Sequence, residues 1–171
     1  LQYGATEGYS PFLMQGLEYI KRAGIYNQSK ENILAVSGGQ QGIDLMFKAF
    51  LNKGDYALVE EPTYLAALHI LKTYQAVPVG VKSGDDGIDL DDLEQKMKQY
   101  NPKILYLVPT FGNPTGKTIS EAKREKIAQL CARYSVIAIE DDPYCELRYE
   151  GKRLRSIKSF DKTGNVVYII S

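Results

Sequence analysis

Short apolar runs alternate with stretches whose apolar residues stand three and four apart, along almost the whole chain. The runs at 33–36, 56–59, 76–81, 104–108, 136–139 and 166–170 have the length of buried strands, and Val77, Val79 and Val81 share one face of the third. Between them, Ile43, Met46, Phe47, Phe50 and Leu51 form one helical stripe, and residues 64–74 read as a second helix. Leu90, Leu93 and Met97 mark a third, while Ile127, Leu130 and Cys131 mark a fourth with Ser120 as its N-cap. Residues 11–23 read as another helix with Pro11 in its first turn. Asn52-Lys53-Gly54-Asp55 and Gly84-Asp85-Asp86-Gly87 turn the chain. This alternation predicts an α/β fold, a mostly parallel sheet covered by helices. No repeat or low-complexity tract interrupts it, so one layered domain is expected.

Composition narrows the class. With 44% apolar and 25% charged residues, the 171-residue chain has globular usage, which excludes disordered and collagen-like readings. Lys and Arg number 21, as do Asp and Glu, so net charge makes no case for nucleic acid or anionic lipid as partner. No apolar run approaches the ~20 residues of a membrane helix, and the first residues do not form a secretory leader, so a cytoplasmic location is expected. Cys131 and Cys145 lack metal-ligand spacing and read as free thiols. The chain begins without Met and ends inside an apolar run, which reads as a piece of a longer protein.

In a parallel sheet, ligands bind at the carboxyl ends of the strands. Five candidate strand ends carry polar or glycine-rich sequence: Ser37 to Gly42, Glu60 to Tyr64, Gly112 to Gly116, Glu140 to Tyr144, and Ser171. The first matches neither a dinucleotide nor a P-loop fingerprint, but its glycines and the helix behind it suit an anion. A carboxylate at Asp141 or Asp142, following an apolar strand, calls for a buried partner. Tyr64 and Tyr144 offer an aromatic face and a phenolic donor. Each segment alone also fits a turn or a cap; their coincidence on one edge is the signal. His69 is assigned no role, the 152–155 basic cluster reads as solvated surface, and Met14, Met46 and Met97 read as core.

Taken together, Gln2-Tyr3-Gly4 with Glu7-Gly8-Tyr9, the Gly39-Gln40 turn, Tyr64, Asn113-Pro114-Thr115-Gly116, and Asp141 with Tyr144 resemble the class I/II aminotransferases. These are pyridoxal 5'-phosphate enzymes of fold type I, and the likeness is to the aminoadipate and aromatic branch. The resemblance implies a three-layer α/β/α large domain with a mostly parallel mixed sheet, truncated, and a cytoplasmic homodimer acting on an amino acid and a 2-oxo acid. It also implies residue roles. Gly39, Gln40 and Ser171 would hold the cofactor phosphate, and Tyr64 would stack on the ring. Asp141 would face the ring nitrogen, Asn113 and Tyr144 would bond the ring oxygen, and Tyr3 would reach the neighbouring subunit's phosphate.

The resemblance also defines what is missing. The Schiff-base lysine would follow Ser171 by three residues, and a phosphate-binding arginine and the small domain lie beyond it. Residues 1–171 are therefore expected to form an incomplete cofactor-binding domain that cannot transaminate alone. Gly112 departs from relatives that often carry a polar residue there. A MocR-type transcription regulator, with a similar domain behind a DNA-binding one, shares the Glu140-Asp141-Asp142 block and is the alternative; nucleic acid is a partner only in that case. Asp141-Asp142-Pro143-Tyr144 and Gln2-Tyr3-Gly4 favour the enzyme.

Overall fold

A computed structural model describes residues 3–171, so Gln2 of the opening segment lies outside the described residues. Helix α1 (Ser10–Ile20) begins with Pro11 in its first turn and continues into a 3-10 turn at Lys21–Ala23. Then follow α2 (Gly39–Phe50), β1 (Tyr56–Glu61), α3 (Leu65–Thr73), β2 (Val77–Gly84) and β3 (Gly87–Ile88). The chain continues through α4 (Leu90–Tyr100), β4 (Ile104–Leu107), α5 (Glu121–Tyr134), β5 (Ile137–Asp141) and β6 (Val166–Ile169).

The sheet has the order β3-β2-β1-β4-β5-β6, all parallel except the hairpin strand β3. Alternating side chains feed two cores, which produces the three layers. Ala57, Val59, Ile104 and Tyr106 pack with Ile43, Phe47 and Leu71 of α2 and α3. Leu58, Leu105 and Leu107 pack on the opposite face with Leu93, Met97, Ile127 and Cys131 of α4 and α5. Successive strands run outward from β1 to β2, then resume at β4 on the other side of β1. A crevice opens at this reversal, at the carboxyl ends of the strands.

Several expectations need correction. Residues 33–36 form no strand: Ala35 donates one backbone hydrogen bond to Glu7 (2.9 Å), and its side chain lies over Gly8. The run covers the N-terminal segment instead of joining the sheet. Met14 and Phe50 are half exposed because they fall at the edges of their helical stripes, whereas Met97 is core. Ser120 stands at the N-cap of α5, yet its side chain makes no cap bond. Arg153 is not simply solvated: it bonds Glu146, Cys145 (3.3 Å) and the Tyr168 hydroxyl (3.3 Å). Both cysteines are buried and unpaired. No helix among the described residues is long and apolar enough to cross a membrane.

Candidate active site

Asp141 ends β5 and is only 6% exposed. Its Oδ2 accepts a hydrogen bond from the Tyr106 hydroxyl (2.8 Å), while no donor among the described residues reaches Oδ1. Burial raises the Asp141 carboxyl above its ordinary value; the Tyr106 bond opposes that and neighbouring Asp142 adds to it. Asp142 is also buried, but it accepts from the Tyr168 hydroxyl (2.9 Å) and does not line the cavity. Alternation along the chain thus sends the two carboxylates to different partners.

Opposite Asp141 stands the start of α2. Gly38 has φ +86° and caps the helix without a side chain, so the first amide groups of the helix face outward with no side-chain acceptor. A methyl group on Gly39 would lie 3.7 Å from Asp141 Oδ1 and 3.8 Å from Ser171 Cβ. These are ordinary contact distances, so Gly39 leaves unfilled a space bounded by helix, carboxylate and serine. The twelve-residue helix adds its positive end to these amides.

Two further segments complete the wall. Tyr64, the N-cap residue of α3, follows the end of β1. Asn113 lies in the loop after β4, where Gly112 donates to the Lys117 carbonyl (2.8 Å) and Ile119 donates to the Pro109 carbonyl (2.8 Å). A Cβ at Gly112 would meet the Val108 carbonyl oxygen at 2.9 Å, so this loop conformation has no room for the polar side chain expected there. Arg124, buried on α5, ties the same loop down through the Pro109 carbonyl (2.9 Å), the Ile119 carbonyl (2.9 Å) and the Thr110 hydroxyl (3.0 Å).

Gly39, Gln40, Tyr64, Asn113, Asp141, Tyr144 and Ser171 all line one cavity of about 240 Å³. Tyr3 is fully exposed and does not line it, and His69 is exposed on α3. One end of the cavity offers amide N–H groups and a serine hydroxyl, suited to an anion. Its flank offers a tyrosine ring, and its depth a carboxylate oxygen in need of a donor. A flat heteroaromatic with a basic nitrogen and an anionic arm satisfies all three. None of the ten lining residues is a lysine.

The sequence model of the family described as aminotransferase class I and II matches residues 1–171. The chain belongs to this family. Aromatic-amino-acid aminotransferase 1 of Thermococcus litoralis is 40% identical over 174 residues, covering 99% of this chain and 42% of that protein. This aminotransferase chain therefore spans about two-fifths of the length of such relatives. The kynurenine aminotransferase of Pyrococcus horikoshii, solved with PMP, superposes with a TM-score of 0.93 at 39% identity over 100% of this chain and 43% of that one. The α-aminoadipate aminotransferase LysN of Thermus thermophilus, complexed with N-(5'-phosphopyridoxyl)-L-leucine, gives 0.91 at 34% identity over 99% and 43%. The HTH-type transcriptional regulator YisV of Bacillus subtilis is 34% identical over 141 residues, 82% of this chain and 29% of that protein.

Sequence reasoning missed Tyr106 and Arg124. Each left a signal: a tyrosine inside an aliphatic strand needs a partner for its hydroxyl, and Arg124 stands three and seven positions before Ile127 and Cys131, on the same buried face.

Proposed function

We propose that the whole protein is a cytoplasmic, homodimeric aminotransferase that uses pyridoxal 5'-phosphate to move an amino group between an amino acid and a 2-oxo acid. One observation carries this reading: Asp141, a carboxylate only 6% exposed, has no donor to its Oδ1 among the described residues, and that oxygen faces the start of α2, where a Cβ on Gly39 would lie 3.7 Å away. When bound, the cofactor supplies an electron sink for the carbanion at the substrate α-carbon.

The chain's own residues do the rest. Amide groups at Gly39 and Gln40, with the Ser171 hydroxyl, hold the phosphate. Tyr64 stacks on the ring, and Asn113 and Tyr144 bond its oxygen. Asp141 would hold a proton on the ring nitrogen, because the negative charge of its carboxylate favours the cationic form of a partner beside it. Tyr3 serves the neighbouring subunit's phosphate. The amine that attaches the cofactor and shuttles the proton is assigned to the part of the protein beyond these residues, together with the small domain.

The full-length protein is expected to be yellow, with an absorption band that borohydride shifts. Asp141→Ala should keep its circular-dichroism spectrum and lose most turnover. A colourless protein indifferent to added pyridoxal phosphate overturns the reading, and near-normal turnover in the variant removes Asp141 from it. Likeness to YisV supports a second reading, a ligand-sensing domain of a transcription regulator. A winged helix-turn-helix encoded upstream of Leu1 would select it over the enzyme.

A further inference from the structure

Tyr106 lies at the centre of β4 and is fully buried. Its backbone stands opposite Ile139, two residues before Asp141 on β5, so its side chain reaches along the neighbouring strand to the carboxylate. The ring is held edge-on by Phe47 of α2, with centroids 6.3 Å apart and planes at 77°. A buried tyrosine hydroxyl needs a partner, and this one donates to Asp141 Oδ2 at 2.8 Å.

We propose that Tyr106 is a positioning residue for Asp141: by occupying Oδ2 from a fully buried ring packed edge-on against Phe47, it holds the carboxylate with Oδ1 directed at the cofactor's ring nitrogen. The inference rests on the cofactor reading above and deepens it. The groups around this pair favour the assignment. Asp142 accepts from Tyr168 through Oδ2, its buried Oδ1 has no partner among the described residues, and it does not line the cavity. Glu60, at the end of β1, accepts from the Val108 amide (2.9 Å). Tyr64 at the start of α3 lines the cavity. Tyr106 is thus the single donor to Asp141 among the described residues. Burial and the Asp141 charge push the Tyr106 hydroxyl well above its usual range, so it remains a donor at any working pH. Without it, burial and Asp142 act on the Asp141 carboxylate unopposed and favour its neutral form.

The test uses the full-length protein and Tyr106→Phe, which removes one oxygen and keeps the packed ring. Pyridoxal phosphate labelled with nitrogen-15 in its ring reports by NMR where the ring proton resides. The variant is expected to keep its fold and its affinity for inorganic phosphate, to bind pyridoxal phosphate about tenfold more weakly, the worth of one hydrogen bond to a charged group, and to show its ring nitrogen shifted toward the unprotonated position. A packing role alone would leave that nitrogen signal where it is. In the wild-type protein, the slowly exchanging Tyr106 hydroxyl proton should shift when pyridoxal phosphate is added; an unmoved resonance overturns the inference even if the variant fails to fold. If the wild type binds the cofactor, Asp141→Ala loses it and Tyr106→Phe matches wild type in affinity and nitrogen signal, this inference falls alone. A wild type that takes up no pyridoxal phosphate overturns the cofactor reading together with it.

Discussion

Arg124 Nη2 lies 3.0 Å from the Thr110 hydroxyl, joining helix α5 to the loop that delivers Asn113 to the cavity. The same guanidinium reaches the Pro109, Ile119 and Arg155 carbonyls, so one buried cation organises three pieces of backbone. Burial lowers its pKa, and the buried acids Glu140 and Asp142 oppose that.

Arg124→Met removes these bonds and leaves carbonyl groups in a dry core. The expected loss is about 3 kcal/mol of unfolding free energy, read from the urea midpoint of the full-length protein. Cofactor affinity should fall as well, because the loop holding Asn113 loses its anchor. Unchanged affinity in a folded variant would show that the loop's own hydrogen bonds suffice.

Two glycines with similar φ should behave differently on substitution. Gly87 has φ +92°, and a Cβ there would lie 2.7 Å from Ile119 Cγ1 and 3.1 Å from Ile119 Cα. Gly54 has φ +86° and open space around it. Gly54→Ala is expected to cost about 1 kcal/mol, the left-handed backbone alone. Gly87→Ala should cost about 2–3 kcal/mol, since Ile119 is packed in the core and cannot retreat. Thermal unfolding of the pair decides; equal losses would remove the steric part of the argument.

Stability should fall as pH rises through neutrality. Burial pushes the Glu60 carboxyl up to about 7, despite its bond from the Val108 amide. The folded state therefore holds this proton more tightly than the unfolded chain does. Its contribution is complete below about pH 4.3, the ordinary glutamate value, and is lost as pH passes through about 7. Buried Glu140 is raised to about 7 as well and adds to the same slope. Between pH 5 and pH 8, Glu60→Gln should lose about 2 kcal/mol less than wild type in urea unfolding. Parallel curves for the two proteins would refute the assignment.

Much of this was legible in the residue order. The alternation of strand and helix, and five of the six candidate strands, follow from hydrophobic period, which is a local property. Seven of the eight residues singled out for the site line one cavity: five end or follow parallel strands, whose ends gather at one edge, and Gly39 and Gln40 reach it from the start of α2. The run at 33–36 misled because four apolar residues in a row do not guarantee a sheet partner: Leu34 is half exposed and the other three are only partly buried.

Pairing and register belong to the tertiary structure. Tyr106 and Asp141 are 35 positions apart, and their bond exists because β4 lies beside β5 in a particular register. Arg124 carries a charge on a face that its helical spacing turns inward, and the Pro109, Ile119 and Arg155 carbonyls with the Thr110 hydroxyl make its burial tolerable. Periodicity fixes which side of an element is apolar; the partner met by a buried polar group depends on strand order and on the packing of the whole sheet, which no local pattern encodes.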